Sequence, residues 1–504
     1  MFHNNCKMSD VLNGNGNGTS SLPGKKRAAQ TPADLPLSEA GETQVLFQTT
    51  DGLTLRGMPL RVTRHAIVFE LYHANVTPQL SEILEPFKLT LQERTIYSGR
   101  AVICNVVNAG VKMICEVTLS GGSWTEAEFA AANLGGCNLQ NKFEGFVRDW
   151  QKFYLVNDEY KVVTADAQTF LMELNLWLDQ LESEIRSAPA EDRGKLETEI
   201  AHSLRGPVGS ALSNMFERFE AVAGEIADDL QPMHRALGQR LLHPFLLCAP
   251  FINRTYTKPL GYAGDYEMMN MIVRNGLEGR SLFAKLVNSY LLDQAPAHAV
   301  RNRVTFLTKK IAEETARRAQ QGKTADIFCV ACGPAWEAVN FIEQNPLADE
   351  ANFCLLDFNQ ETLQHTTNKI DQVLKNKHRK TKVKLVKNSV QNLLRAGGRG
   401  KPPEAEYDVV YCSGLYDYLN DSVCKSLNTY FFDLLKPDGL LVVGNFAPST
   451  PIKNFMGHML EWFLIYRDSH QLATLAPEQV ENRDCVIRSE PSGTNFFLEV
   501  RKPK

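Results

Sequence analysis

The sequence has no long apolar run, no strong excess of charge of one sign and no cysteine pattern typical of a disulfide framework. Its longest apolar stretches, such as residues 460–466, are far shorter than the roughly 18 residues that a membrane-spanning helix needs. There are 54 Lys and Arg against 58 Asp and Glu, a net charge of −4. Because nucleic-acid-binding and anionic-membrane-binding proteins carry strongly basic surfaces, we expect neither a nucleic-acid partner nor a transmembrane segment.

The 11 cysteines are an odd number, scattered through apparent strands and helices. Reduced thiols are therefore expected. Cys329 and Cys332 form a CxxC pair, but zinc normally requires a second pair at ligand spacing, and this pair lies where a strand meets a turn. Metal or redox use is the alternative to a lining role, and no metal site is predicted.

Residues 1–41 are rich in Asn, Gly, Ser and Pro and contain no apolar core of the kind a secretory signal has. We interpret them as a disordered tail and expect a cytoplasmic protein.

Residues 42–125 contain six short runs rich in Val, Ile, Thr and aromatic residues, separated by turn residues. Spacing of about 8–12 residues between such runs is typical of a small antiparallel barrel. Arg61 and Arg64 precede the third run, and residues 105–110 (NVVNAG) lie at an expected turn. The region resembles a PilZ domain, whose intact members bind cyclic di-GMP through an RxxxR arm and a D/N-x-S-x-x-G turn. Here the arginines are one residue too close and Val107 replaces the serine, so we expect a degenerate module used for packing or partner contact.

Residues 126–319 have apolar residues at helical spacing, as in LMELNLWLDQLESEI and SLFAKLVNSYLLDQ, which predicts a helical cover domain. Pro207 is expected to mark a boundary between helices. Residues 253–267 (NRTYTKPLGYAGDYE) interrupt the pattern with glycines, a proline and three tyrosines. This segment is either a loop that places polar groups over a pocket or an ordinary interhelix loop.

Residues 320–504 alternate between apolar strands and helical segments and end in two strands joined by Pro491-Ser492-Gly493. This order predicts an α/β domain with a Rossmann-like sheet of seven strands. The first strand leads into residues 327–337 (IFCVACGPAWE), and the second ends in LLDF, with Asp357 24 positions after Gly333. A strand, a turn of small residues, a helix and a later acid are typical of a nucleotide-type cofactor site.

The succession VACGP, LLDF, KNSV, YDVVYCSGLYDYL and LLKPDGLLVVGNF resembles the class I S-adenosylmethionine-dependent methyltransferases. Against the glycine-rich loop of that family, Cys329 takes the acidic position, and Ala331, Gly333 and Ala335 take the three glycine positions. An NAD site is the competing interpretation, but this loop lacks the three-glycine spacing.

The resemblance implies S-adenosylmethionine as cofactor, with Asp357 bonded to the ribose hydroxyls, Phe358 against the adenine, and Asn388 and Ser389 at the adenine edge. The implied cofactor-binding residues are Ala331, Gly333, Pro334, Asp357, Phe358, Asn388, Ser389, Ser413 and Gly414.

The methyl acceptor is open at this stage. A carboxylate or thiolate acceptor needs no general base, whereas a hydroxyl or ammonium acceptor needs one. Further candidates near the pocket mouth are Asp417, Glu461 and Tyr466. The predicted catalytic residues are Tyr262, Asp265, Tyr266, Tyr416, His458 and Arg467.

The segments RTYTKPLGYAGDYE and MLEWFLIYR also resemble a bacterial group described as 3-hydroxypalmitic acid methyl ester biosynthesis proteins. That likeness implies a small-molecule or lipid-like acceptor, such as a fatty acyl carboxylate. The alternative function is a nucleotide-responsive signalling protein whose methyltransferase-like domain is catalytically silent. The barrel could mediate homo-oligomerisation, although nothing in the sequence requires it.

Overall fold

The structure is a computed structural model that describes most of the chain after residue 42. The described residues are 43–50, 52–71, 78–91, 94–108, 113–124, 143–144, 147–148, 155–397, 406–477, 479–480 and 485–504. The predicted disordered tail, residues 1–41, lies outside these ranges.

Six antiparallel strands close into a barrel, as the spacing of the apolar runs predicts. They are β1 (Thr43–Gln48), β2 (Thr54–Val62), β3 (Ala66–Leu71), β4 (Ile83–Leu91), β5 (Arg94–Asn108) and β6 (Met113–Trp124). Their order around the barrel is β1-β2-β3-β6-β5-β4. Because side chains alternate between the faces of a strand, each strand sends every second residue inward, and Phe47, Phe69 and Phe87 fill the interior.

The prediction of a turn at residues 105–110 is wrong for residues 105–108. Asn105 pairs with Glu116 and Asn108 pairs with Met113, so β5 continues through this segment. Its two valines favour strand over turn, while residues 109 and 110 lie outside the described ranges. Arg61 forms an ion pair with Glu116 at 3.5 Å. The closed barrel is confirmed, and the finer likeness to a PilZ domain stays a prediction.

Between residue 155 and the C-terminal sheet, seven α-helices are described, which confirms the helical periodicity there. They are α1 (Asp158–Ser187), α2 (Arg193–Gly224), α3 (Gln231–Leu246), α4 (Pro250–Thr257), α5 (Tyr266–Arg274), α6 (Leu282–Leu292) and α7 (Ala295–Ala319). The tyrosine-rich segment is partly helical, because α4 includes Tyr256 and α5 begins at Tyr266. Only the turn between them, with Gly261 at φ +86° and Gly264 at φ +76°, is irregular.

The helix boundary expected at Pro207 is wrong, because Pro207 lies inside α2. A proline in a helix removes one hydrogen bond and crowds the carbonyl one turn earlier. Pro207 and Ser203, whose carbonyl loses its helical donor, are both exposed, so water can reach that carbonyl.

The C-terminal part is a seven-stranded sheet with helices on both faces. Its strands are β7 (Ala325–Val330), β8 (Ala351–Asp357), β9 (Lys382–Lys387), β10 (Tyr407–Cys412), β11 (Leu435–Phe446), β12 (Cys485–Ser489) and β13 (Asn495–Arg501). Its helices are α8 (Trp336–Gln344), α9 (Gln360–Lys377), α10 (Val390–Gly397), α11 (Asp421–Leu434), α12 (Lys453–Met459) and α13 (Ser469–Ala473).

The strand order is β12-β13-β11-β10-β7-β8-β9. Strands β7 to β11 run parallel, whereas β13 is antiparallel to both β11 and β12, as the terminal hairpin predicts. The chain passes from β7 to β8 on one side and returns to β10 on the other. In open α/β sheets, ligands bind beyond the carboxyl ends of the strands at such a point.

The helix that follows β11 does not extend through Glu461. Helix α12 ends at Met459, and Glu461 has φ +48°. The following segment, residues 460–467, contacts both the barrel and the sheet domain: the Phe463 N–H donates to Ser81 Oγ at 2.6 Å, and the Ile465 N–H donates to the Asp417 carbonyl at 2.7 Å.

Within the part of the chain that the structure describes, no helix has the length and apolar character needed to cross a bilayer. The same residues contain no group of three or more His, Cys, Asp or Glu side chains arranged to hold a metal ion. Cys329 and Cys332 are free and buried, and burial raises the pKa of both thiols well above its ordinary value.

Candidate functional site

The loop between β7 and α8 holds three residues in the left-handed backbone conformation. Ala331, Gly333 and Ala335 have φ values of +54°, +52° and +48°. Glycine adopts this conformation readily, whereas an alanine methyl is crowded there. Ala331 and Ala335 nevertheless adopt this conformation, which glycine favours. A Cβ atom added at Gly333 would meet no atom within 4 Å, so the loop leaves open space beside its backbone.

Asp357, the last residue of β8, fixes this loop. Its Oδ2 accepts a hydrogen bond from the Gly333 N–H at 3.0 Å, and its Oδ1 accepts one from the Asn359 N–H at 2.9 Å. Burial raises the pKa of the carboxyl group, and the backbone hydrogen bonds oppose that rise. A carboxylate has about four acceptor positions, so this one keeps capacity for a ligand in the cavity that it lines.

One cavity extends along the carboxyl edge of the sheet, and all nine predicted cofactor residues line it. The Asn388 N–H donates to the Asp357 carbonyl at 3.0 Å, which joins the end of β9 to the end of β8. The nine residues are Ala331, Gly333, Pro334, Asp357, Phe358, Asn388, Ser389, Ser413 and Gly414.

Two of the predicted catalytic residues, Tyr262 and Tyr266, also line the cavity. The ring of Tyr262 lies against Phe358, with centroids 4.9 Å apart, and burial raises the pKa of its hydroxyl. The Tyr266 hydroxyl donates to Glu361 Oε1 at 2.8 Å. The tyrosine-rich turn therefore faces the cavity directly opposite the end of β8.

Asp265 and Tyr416 are not among the residues that line this cavity. Asp265 caps α5 by accepting from the Met268 N–H at 2.8 Å, and it forms an ion pair with Arg254 at 2.9 Å. Tyr416 is fully buried, and its hydroxyl donates to Asn428 Oδ1 at 2.7 Å. Both side chains therefore use their hydrogen bonds to stabilise the fold.

His458 lies within the helical core, away from the cavity lining. Its Nδ1 is 2.9 Å from the Tyr160 hydroxyl, and its Nε2 is 2.5 Å from Gln231 Oε1. Burial lowers the pKa of the imidazole well below its ordinary value, so the ring is neutral near pH 7.

Arg467 is likewise outside the cavity lining and binds several acceptors of the segment after β10. Its Nη1 donates to the Tyr416 carbonyl at 2.8 Å and to Asn445 Oδ1 at 2.5 Å, and its Nη2 donates to the Leu419 carbonyl at 2.6 Å. Nε donates to the exposed Asp421 at 2.8 Å. The side chain clamps the loop that carries Asp417.

Asp417 does line the cavity, in a short 3-10 turn after β10. Its Oδ1 accepts from the Asn445 amide at 2.9 Å and from the Phe446 N–H at 2.8 Å. Burial raises the pKa of its carboxyl group to about 7, against the opposing charges of Arg303 and Arg467. A carboxyl group with such a pKa can accept a proton near neutral pH.

Several lining residues were not among the sequence-predicted site residues. Trp336, Glu337, Tyr418 and Trp462 lie near the predicted motifs, whereas Arg303 is on α7. Burial raises the pKa of the Glu337 carboxyl, which accepts from the Tyr411 hydroxyl at 3.0 Å. An acid directly after the small-residue loop was the one signal available in the sequence.

The barrel supplies one wall of the cavity. The barrel residues that line it are Thr49, Thr50, Pro78, Gln79 and Glu82. Glu82 accepts from the Thr50 N–H at 3.0 Å and from the Gln79 N–H at 3.1 Å, so it holds these two turns together. The Ile83 N–H donates to the Gly261 carbonyl at 2.7 Å, which ties the wall to the tyrosine-rich turn. No pattern in the sequence indicates this arrangement.

Comparisons with known proteins give structural neighbours only. No protein-family model and no curated protein matches the chain. Among solved structures, it is similar to a protein from Bordetella parapertussis described as a possible exported protein, with 14% identity, a TM-score of 0.39, and coverage of 50% of this chain and 86% of that one. It is also similar to the S-adenosylmethionine-dependent methyltransferase SibL, with 15% identity, a TM-score of 0.34, and coverage of 68% and 98%.

A further similar structure is the magnesium protoporphyrin IX methyltransferase of Synechocystis PCC 6803 with bound S-adenosylhomocysteine. Identity is 13%, the TM-score is 0.30, and the match covers 42% of this chain and 87% of that one. Because these identities and scores are low, the fold assignment rests on the strand order. That order, with its terminal antiparallel hairpin, is consistent with a methyltransferase-like fold.

Proposed function

We propose that this chain is an S-adenosylmethionine-dependent methyltransferase that acts on a small-molecule or lipid-like acceptor. One observation carries the proposal. Nine residues, selected from four separate strand ends because each motif resembles a methyltransferase motif, line a single cavity at the topological switch point of the sheet. A chance likeness in one motif would not bring four of them to the same cavity.

The residues present fit the cofactor. Asp357 has unused acceptor positions for two ribose hydroxyls, and Phe358 offers an apolar ring beside it. The loop at Gly333 leaves open space for the methionine part, and the α8 N-terminus offers N–H groups to a carboxylate. The bound cofactor would supply an electrophilic methyl group on sulfur.

The protein's main task is then to align the acceptor with that methyl group and to exclude water. Tyr262 and Trp462 cover the cavity from the side opposite the sheet. If the acceptor is a hydroxyl or an amine, Asp417 is the residue placed to take its proton. A fatty acyl carboxylate, the acceptor class that the sequence resemblance implies, would need no base.

The first test is calorimetry with S-adenosylhomocysteine. Wild-type protein should bind it, and Asp357→Ala should weaken binding by roughly tenfold or more, because hydrogen bonds to a carboxylate are lost. Asp371→Ala is the matched control, since Asp371 is exposed on α9 of the same domain. Absence of binding by the wild type, or equal binding by both variants, would refute the cofactor assignment.

Transfer is tested separately with isotopically labelled S-adenosylmethionine and an extract of the host cell. Mass spectrometry of the labelled product identifies the acceptor. Binding of the cofactor without transfer of label would favour the alternative, a silent binding domain beside a nucleotide-sensing barrel. In that case cyclic di-GMP should bind, and Arg61→Ala should abolish the binding.

A further inference from the structure

Arg303 is a nearly buried cation on the wall of the cavity. It lies on α7, its side chain is part of the lining, and only 9% of the residue is exposed. Its Nη1 donates to the Ser413 carbonyl at 2.8 Å, and its Nη2 is 3.7 Å from the sulfur of Met269. A Cβ atom added at Gly414 would lie 3.2 Å from Nη1, so the guanidinium rests directly on the backbone after β10.

Among the described residues, no carboxylate forms an ion pair with this guanidinium. Arginine has five N–H donors in a planar fork, and the two contacts with Ser413 and Met269 leave most of them without a protein partner. Burying a charge is costly unless it is paired. The remaining donors lie in a side chain that lines the cavity, so a ligand there can bond to them.

Two buried carboxyl groups face the same region, yet both are engaged elsewhere. Glu337 accepts from the Tyr411 hydroxyl, and Asp417 accepts from Asn445 and Phe446. The charge of Arg303 lowers the pKa of each carboxyl group against the larger effect of burial. These two carboxyl groups therefore interact with the charge of Arg303 at a distance, and neither accepts a hydrogen bond from its guanidinium group.

The cavity that Arg303 lines also has apolar side chains in its lining. Side chains from α5, α7 and the strand ends provide this surface: Met269, Val273, Val300, Val304, Leu415 and Phe446. A cation that has no ion-pair partner, in a cavity that also has apolar lining, matches a ligand with one anionic group and an apolar body. The planar fork favours a carboxylate, which it can bind through two parallel hydrogen bonds.

We propose that Arg303 binds a carboxylate group inside the cavity. The proposal rests on the proposed function and deepens it, because the carboxylate has two sources: the methionine end of the cofactor, or a methyl acceptor that is an apolar carboxylic acid. Both would lie within the same cavity, and Ser413 and Gly414, on which Arg303 rests, are among the residues that the resemblance implies for cofactor binding.

The experiment compares three probes by calorimetry. S-adenosylhomocysteine has the methionine carboxylate, 5′-methylthioadenosine lacks it, and octanoate is an apolar carboxylate added to protein already loaded with S-adenosylhomocysteine. Each probe is measured with wild type, Arg303→Met and Arg303→Lys. Arg280→Met is the control, because Arg280 is an exposed arginine of the same helical region.

If the cofactor is the source of the carboxylate, Arg303→Met should weaken the binding of S-adenosylhomocysteine by roughly tenfold or more. The affinity for 5′-methylthioadenosine should change by less than about twofold. If the acceptor is the source, both adenosine ligands should bind as in the wild type, and octanoate binding should be lost. Arg303→Lys, which keeps the charge without the fork, should fall between wild type and Arg303→Met.

Two results together would overturn the proposal. Arg303→Met would bind S-adenosylhomocysteine as tightly as the wild type does, and octanoate would bind either equally to both proteins or to neither. Binding of 5′-methylthioadenosine verifies that each variant is folded, and if Arg303→Met fails this check, Arg303→Lys decides by the same comparison. Wild-type protein that binds neither adenosine ligand would instead refute the proposed function, so the two failures are distinguishable.

Discussion

The two sides of the cavity differ in how they are built. The sheet side consists of short segments that directly follow β7, β8, β9 and β10, and hydrogen bonds join the segments after β7, β8 and β9 to one another. The cover side combines a turn of the helical domain, a helix and two turns of the barrel, held by contacts such as Ser81 with Phe463. One side is local in sequence, and the other is assembled from segments hundreds of residues apart.

The difference bears directly on which buried polar residues act on a ligand. On the sheet side, the nine predicted cofactor residues all line the cavity, whereas Tyr416 does not. On the cover side, His458 and Arg467 are as buried and as polar as catalytic residues commonly are, yet each uses its donors and acceptors within the protein. Burial of a charged group alone therefore does not indicate a site, and open hydrogen-bonding capacity in a cavity is the better criterion.

The largest expected effect is on stability, from Arg467→Met. The change removes the Arg467 donor from Asn445 Oδ1 and from the carbonyls of Tyr416 and Leu419, and it leaves Asp421 without its ion pair, so the free energy of unfolding should fall by about 3 kcal/mol or more. Urea denaturation measures it, with the exposed Arg186→Met as control. If the variant is as stable as the wild type but has lost methyl transfer, Arg467 has a functional role and not a structural one.

The next effect concerns Asp417→Asn, which retains the acceptor for Asn445 and Phe446 but removes the titrating group. The folded pKa of about 7 lies above the unfolded value of 3.8, so the folded protein holds this proton more tightly, and that stabilisation is lost as pH rises through about 7. The unfolding free energy of the wild type should thus fall relative to the variant between about pH 4 and about pH 7, by about 1.4 kcal/mol for each pH unit, and should stay level above that range.

Melting temperatures of both proteins across this pH range provide the measurement. Parallel curves would show that Asp417 has no raised pKa and would remove the reason to regard it as a base. A difference between the curves combined with unchanged methyl transfer by Asp417→Asn would point to an acceptor that needs no base.

A smaller effect is expected from bulk added to the barrel wall. Gln79→Phe places a ring on the cavity lining, so labelled methyl transfer should fall by roughly tenfold, equivalent to about 1.4 kcal/mol, while affinity for S-adenosylhomocysteine stays nearly unchanged. Leu60→Phe, at an exposed position of β2, is the control. Equal loss of cofactor affinity would place the wall beside the cofactor rather than the acceptor.

The smallest effect is expected at the small-residue loop. Replacing alanine by glycine in a helix costs about 1 kcal/mol, as we expect for the buried Ala338 of α8. At Ala331, whose φ is +54°, relief of steric crowding should offset that loss, so Ala331→Gly should change the unfolding free energy by less than about 1 kcal/mol or increase it. Thermal denaturation of the two variants tests the contrast.

Much of the fold was accessible from the sequence because it depends on local periodicity. Alternating apolar residues predict the barrel strands, and the strand-helix alternation after residue 320 predicts the sheet. Pro207 was misjudged because an exposed proline can be accommodated in a helix that packing already stabilises. The continuation of β5 through Asn108 was missed because pairing with β6 overrides the turn preference of asparagine.

For the site, the residues with a local signature were found and those that depend on tertiary packing were not. Asp357 follows a buried strand at a fixed distance from the loop, so the sequence alone identifies it. Arg303 stands in a helix with several other charged residues, and only the packing of α7 against the end of β10 distinguishes it. Gln79 and Glu82 reach the cavity because Ser81 and Ile83 dock their turn onto other parts of the chain.

Because the barrel forms one wall of the cavity, fragments of the protein that lack the barrel would lack part of the cavity. A fragment that begins near residue 320 would contain the nine motif residues and still lack Tyr262, Arg303 and every barrel residue that lines the cavity. Its ligand-binding edge would be open to water, and apolar side chains such as Phe446 would be uncovered there. A fragment that retains the whole cavity lining therefore has to include the barrel, beginning no later than Thr49 directly after β1.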